Sequence, residues 1–304
     1  MANVVEVESL SKSYGSVRAA DGVSFVVSEG EIFGMVGPNG AGKTTTIECV
    51  EGLRRPDTGR VRVLGQDPLA ERQAVAERIG VQLQASNLPG RIRVGEALEL
   101  MASFYMRRAD TGSLLERLGL EEKRKAPVAK LSGGQKQRLF IALALVNQPE
   151  VVFFDELTTG LDPQARRSMW DLVREVRDQG RTVFLTTHFM EEAERLCDRV
   201  AIMDHGKIVA LDTPEALIHS LDVGHRVVFT VTDGGQGLSL KSLLGVERVE
   251  VSGDRVTVTG RGEGFISTVI GALEKSRVPF RDLRTEQPTL EDVFLTLTGR
   301  EMRE

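Results

Sequence analysis

Gly37, Gly42, Lys43 and Thr44 fall in the spacing G-x-x-x-x-G-K-[ST], with Gly40 inside the loop. That spacing suits one task, the holding of a phosphate. Glycines let consecutive backbone N–H groups turn toward an anion, and a helix opening here adds positive potential at its N-terminus. Lys43 supplies a mobile positive charge for the outer phosphates, and the Thr44 hydroxyl is suited to ligate Mg²⁺. Pro38, Asn39 and Ala41 complete the loop and Thr45 follows it.

Asp155 and Glu156 end an apolar run at residues 151–154. Ligand sites in open α/β sheets lie at the carboxyl ends of strands. Asp155 is therefore placed to hold Mg²⁺, directly or through water. Glu156, one residue on, points elsewhere and is suited to orient and polarise an attacking water. Ser132, Gly133, Gly134 and Gln135 open a helical stretch with the S-x-x-Q capping-box spacing. Two glycines in a first turn cost helix stability, but their bare N–H groups suit a phosphate. His188 closes another apolar run, so it belongs at the same sheet edge, where it fits either a terminal-phosphate contact or a structural role. Tyr14 fits either stacking on a base or burial in the core. Gln84 carries little chemistry by itself.

These residues need rigid elements to place them. Residues 4–7 and 22–27 are strand-like, and the runs 32–36, 151–154, 182–186 and 199–203 read as strands buried on both faces. Helical stretches lie between them, so the first part of the chain is predicted as an α/β layered domain with parallel strands. Residues 86–150 read as a mostly helical insertion, with Ala97, Leu98, Met101, Phe104 and Tyr105 at helical spacing. The character changes near Ser220. Residues 226–231 are strand-like, 249–251 and 256–258 alternate as a hairpin, and two apolar stripes follow. The second stripe, Leu290, Val293, Phe294 and Leu297, opens with Thr289 and Asp292 at capping-box spacing. The domains expected are 1–219 and 220–304, the second a small α+β unit with a Gly-rich stretch at 233–237.

The chain has 304 residues, long enough for two domains. Its net charge of −5 argues against a protein that coats nucleic acid. The two cysteines are too few for a disulfide framework or a cysteine zinc site. The longest apolar run, 139–146, falls far short of the ~20 residues of a membrane span, and no secretory signal is visible at the N-terminus. Work at a membrane would therefore go through a partner.

Taken in order, Tyr14, the 37–45 loop, Gln84, Leu131-Ser132-Gly133-Gly134-Gln135-Lys136-Gln137-Arg138, Asp155-Glu156, Gly160-Leu161-Asp162 and His188 resemble an ATP-binding-cassette (ABC) ATPase subunit over residues 4–219. The resemblance implies a P-loop NTPase cassette with a helical subdomain, using ATP and Mg²⁺. Tyr14 would stack on adenine, while Thr44, Gln84 and Asp155 would organise Mg²⁺. Glu156 would be the catalytic base, with His188 contacting the γ-phosphate. Ser132 and Gly134 would cap the nucleotide of the opposite subunit in a head-to-tail homodimer, and Asp162 would lie at the dimer interface. Leu157 departs from the pattern, since the family usually has proline after the two acids.

Residues 287–300 are also similar to the C-terminal end of ATPase subunits of the daunorubicin-resistance type, the multidrug-export branch. That similarity implies a separately encoded membrane permease, an exported drug-like or amphipathic cargo, and a cytoplasmic protein held at the inner face of the membrane. The permease would dock on the helical insert, with Leu88, Ile92, Val94 and Phe104 as candidate lining residues. The competing reading is a soluble ABC ATPase acting on DNA or the ribosome; such relatives usually carry a long coiled coil or two cassettes, and this chain has neither a heptad repeat nor a second phosphate loop. A third reading, a ligand-responsive regulator, finds no ligand constellation in 220–304.

Overall fold

The computed structural model describes residues 2–82, 88–220, 225–231, 240–262, 264–276 and 278–299. Gln84, the Gly-rich stretch 233–237 and Arg300 lie outside the described residues. In chain order the elements are β1 (Asn3–Tyr14), β2 (Val17–Ser28), β3 (Ile32–Val36), α1 (Lys43–Val50), β4 (Thr58–Val63), α2 (Arg72–Ala76), β5 (Ile79–Gln82), α3 (Val94–Ser103), α4 (Thr111–Arg117), α5 (Gly133–Leu145), β6 (Val151–Asp155), α6 (Pro163–Asp178), β7 (Thr182–Thr187), α7 (Met190–Leu196), β8 (Arg199–Asp204) and β9 (Lys207–Asp212). Then come α8 (Pro214–Ser220), β10 (His225–Val231), β11 (Val246–Ser252), β12 (Arg255–Gly260), α9 (Phe265–Ser276), β13 (Phe280–Glu286) and α10 (Leu290–Thr298). They fall into two compact units, Met1–Pro214 and Glu215–Glu301.

The first unit is built on a sheet of order β5-β6-β7-β3-β8-β9. Neighbours from β5 to β8 run parallel and β9 joins antiparallel at the edge. The four apolar runs are its central strands, and every residue of β3, β6 and β7 is buried. Burial on both faces explains why these strands read as continuous apolar segments rather than alternating ones. Phe33, Phe153 and Phe184 fill one face, with Phe25 stacked on Phe33 at 5.2 Å between centroids.

Phe25 comes from a second sheet that the parallel-strand reading leaves out. Order β2-β1-β4, it is antiparallel throughout. Its strands alternate: Val61 and Val63 of β4 are buried while Arg60 and Arg62, which precede each of them, are not. One face therefore packs on the core and the other meets water.

Residues 94–145 carry α3, α4 and α5, with Leu98, Leu114, Leu115, Leu139 and Ile141 buried. Phe104 corrects the apolar stripe expected there: α3 ends at Ser103, and the next ring is 69% exposed.

The second unit is a four-stranded antiparallel sheet, order β11-β12-β10-β13. Its expected hairpin forms in register, with Val249 opposite Val258 and Val251 opposite Val256. Val227, Phe229, Val256 and Val258 pack with Phe265, Val269 and Leu273 of α9. α10 begins with the Thr289–Asp292 capping box, and Arg226 pairs with Asp292 at 2.6 Å.

Candidate functional site

The loop 37–42 leaves the carboxyl end of β3 and turns into α1. Two of its glycines have no substitute. A Cβ on Gly37 would stand 2.3 Å from the Met203 carbonyl oxygen, and one on Gly42 would stand 2.0 Å from that of Ala19. Gly42 also sits at φ 101°, a left-handed conformation that other residues adopt at a cost. Gly37 donates to the Thr187 carbonyl and Ala41 to that of Pro38. Asn39 and Gly40 form the exposed tip. α1 has no side-chain cap and no acidic residue in its first turn, so its N-terminal donors fit an anion.

Lys43 is buried, and its Nζ donates to the carbonyls of Gly37 at 2.7 Å and Pro38 at 3.1 Å. Burial pulls its pKa down, while Glu156 and Asp155 push it back up. A desolvated ammonium with few fixed partners is suited to receive phosphate oxygens. Thr44 and Thr45 follow in the first turn, both half-buried.

β6 delivers the acids. Asp155 is buried, and the Thr186 hydroxyl of the adjacent β7 donates to its Oδ1. Burial raises the Asp155 pKa; the Thr186 bond lowers it, and Lys43 beside it acts in the same direction. A carboxylate here and the Thr44 hydroxyl are hard oxygen donors, which fit Mg²⁺. Glu156 then breaks from the strand at φ 50°. That conformation costs a non-glycine residue on the order of 1–3 kcal/mol and persists only when surroundings over-determine it. Here the Glu156 N–H donates to the Thr186 carbonyl at 3.1 Å and to its hydroxyl at 3.2 Å.

The turn aims Glu156 Oε1 inward, 3.7 Å from Lys43 Nζ and 3.6 Å from His188 Nδ1. Thr159 donates to Oε2 at 3.3 Å. His188 Nδ1 is buried without a hydrogen-bond partner of normal length, and its ring contacts Phe189 at 4.1 Å. Lys43, Asp155, Glu156 and His188 thus converge at one sheet edge from three separate strands' ends.

The remaining site residues stand as follows. Ser132 caps α5: its Oγ accepts from Gln135 N–H at 3.3 Å, and the Gln135 side chain accepts from Ser132 N–H at 3.1 Å. Gly133 and Gly134 lie in that first turn, which has no acidic residue. Asp162 caps α6, accepting from Ala165 N–H at 2.9 Å. Tyr14 is a surface ring, 41% exposed, with the Arg54 guanidinium 5.2 Å from its centroid, which removes the core-tyrosine alternative. Sequence reasoning assigned no role to Thr186 or Thr159. Thr186 is detectable in retrospect as a hydroxyl at the end of an otherwise apolar strand.

Residues 20–159 match the family model described as ABC transporter. The chain is 40% identical, over 99% of its length and 95% of the relative's, to a Nod factor export ATP-binding protein I of Ralstonia nicotianae. It is 38% identical to the daunorubicin resistance ATP-binding protein DrrA3 of Streptomyces coeruleorubidus, over 98% of this chain and 97% of that one. Among solved structures it is similar to an ATP-binding subunit of an ABC transporter, with TM-score 0.65 and 29% identity over 71% of this chain and 92% of that one. A dimeric post-hydrolysis ABC cassette, MJ0796 with ADP and Pi, matches with TM-score 0.61 and 27% identity over 69% of this chain and 98% of that one.

Proposed function

The chain belongs to the ABC transporter family, as an ATP-binding, ATP-hydrolysing subunit of the export type, and from that premise we propose how its residues divide the work. The observation that carries the assignment is the meeting of Lys43 and His188 within 4 Å of the Glu156 carboxylate. The 37–42 loop and the α1 N-terminus bind the phosphates of ATP, and Lys43 exchanges its carbonyl contacts for β- and γ-phosphate oxygens. Tyr14 stacks on the base. Thr44 and Asp155, with Gln84 as the resemblance implies, would hold Mg²⁺, which would neutralise charge on the phosphates. Glu156 orients the attacking water and takes its proton, and His188 steadies the γ-phosphate side.

Two copies assemble head to tail. Ser132, Gly133, Gly134 and Gln135 of one subunit close over the nucleotide of the other, with Asp162 at the interface. Exposed helix-start N–H groups on α5 support this reading, because a second anion fits there. Among the described residues no helix is long and apolar enough to cross a membrane. The motion is delivered to a separately encoded permease, which holds the protein at the inner face of the membrane, and the cargo is a drug-like or other amphipathic molecule. Relatives named for Nod factor export and daunorubicin resistance support the direction of transport.

The permease docks on the helical segment. Val94 leaves the proposed lining, since it is fully buried, whereas Leu100, Phe104 and Met106 are 53%, 69% and 93% exposed. Phe104→Asp is expected to leave ATP binding intact and to abolish co-purification of the multi-span membrane protein from detergent extracts. Undiminished recovery of that protein, or cross-links confined to residues 225–299, would remove this surface from the proposal.

A further inference from the structure

Glu156 needs support from more than its own strand, because its backbone occupies the left-handed region. β7 supplies the two bonds to its N–H. On the other side, the Leu157 carbonyl accepts a 2.7 Å hydrogen bond from the side-chain Nε2 of Gln137. Leu157 is itself buried, so its side chain anchors the peptide on which that bond pulls. Gln137 lies on α5, three residues after Gly134 and within one helical turn of the proposed phosphate cap.

We propose that Gln137 is a positioning residue, a strut that fixes the Leu157 peptide and thereby links the first turn of α5 to the pose of Glu156. The proposal rests on the reading of Glu156 as the base. A short rigid helix passes any displacement of its N-terminus to the Gln137 amide. That amide grips the Leu157–Thr158 peptide, one peptide on from Glu156, so engagement of Gly133 and Gly134 by a second subunit's phosphate bears on where the carboxylate points. Leu157 lacks the ring that a proline would use to fix its own φ, which leaves more of the turn to be held by hydrogen bonds.

The chemistry is directional. An amide N–H donates to a carbonyl, a carboxylate repels it, and a protonated carboxyl donates again. In the full-length protein, Gln137→Leu is expected to lower kcat for ATP on the order of tenfold, since small misplacement of a catalytic group is costly, while KM stays within about twofold of the parent. Gln137→Glu is expected to show the same loss at pH 8, and to recover toward the parent rate as pH falls and its carboxyl takes up a proton. The Leu variant has no such recovery. Thermal unfolding of both variants checks that the fold persists, and the pH-dependent recovery of the Glu variant carries the test even if the Leu variant is unstable.

Parent-like kcat in either variant at pH 8 overturns the strut, as does a rise in KM matching the fall in kcat, or identical pH profiles for the two variants. Glu156→Gln run alongside separates the two claims. Turnover surviving in that variant defeats the base assignment. Turnover lost there but normal in the Gln137 variants defeats the strut alone.

Discussion

Glu156→Gln is expected to bind ATP as the parent does and to lose turnover by 10²–10⁴-fold, roughly the contribution of a positioned general base. The substitution keeps size and shape, so the turn held by Thr186 and Thr159 survives. It removes the negative charge that stands between Lys43 and His188, leaving an amide that cannot take up a proton from water. It also takes away one of the two carboxylates that keep the buried Lys43 charged. Bound phosphates restore that balance, and so binding persists while proton abstraction does not. Equilibrium nucleotide binding and steady-state phosphate release measure the two effects separately. Hydrolysis close to the parent rate would take Glu156 out of the role assigned to it.

Lys43→Ala is expected to act on the other parameter. A hydrogen bond to a charged group is worth about 1.5–3 kcal/mol, so its loss lowers ATP affinity by roughly 10- to 150-fold. Lys43 is buried and aimed along its own loop, with Gly37 and Pro38 carbonyls as its closest partners. A water in the space left by alanine carries no charge to replace it. Asp155 and Glu156 would then face a triphosphate with no cation from the loop, so repulsion adds to the loss. Titration with a non-hydrolysable nucleotide reads the affinity directly, and an unchanged value would count against the loop assignment.

Much of this site was legible because its residues act through local geometry. Gly37 to Thr44 read as a phosphate cradle since glycine spacing, a preceding apolar strand and a following helix all occur within a short segment. Asp155 and His188 read as neighbours because each closes a buried run, and parallel strands place such ends on one edge. The capping boxes of α5 and α10 are likewise three-residue signals, and both form.

What stayed hidden depends on residues distant in sequence. Thr186 meets Asp155 across 31 positions and Gln137 meets Leu157 across 20. Nothing in their own neighbourhoods marks those partners. Tyr14 was open between two environments, since a ring at a strand end is apolar and polar at once; only the proximity of Arg54 and its exposure place it on the surface. Phe104 continued a helical period that the backbone itself abandons at Ser103. Residues 4–7 and 22–27 read as strand-like, but that β1, β2 and β4 form a sheet of their own was hidden for a related reason. Half-buried strands alternate, and short alternating runs do not declare which sheet they join.

The composite two-subunit site is the centre of the account, and the mass of the Glu156→Gln variant in solution tests it most directly. With ATP and Mg²⁺, light scattering should give twice the mass of one chain, falling to a single chain when nucleotide is removed. A variant that binds ATP, fails to turn it over and still remains at the mass of one chain would contradict a site shared between two subunits.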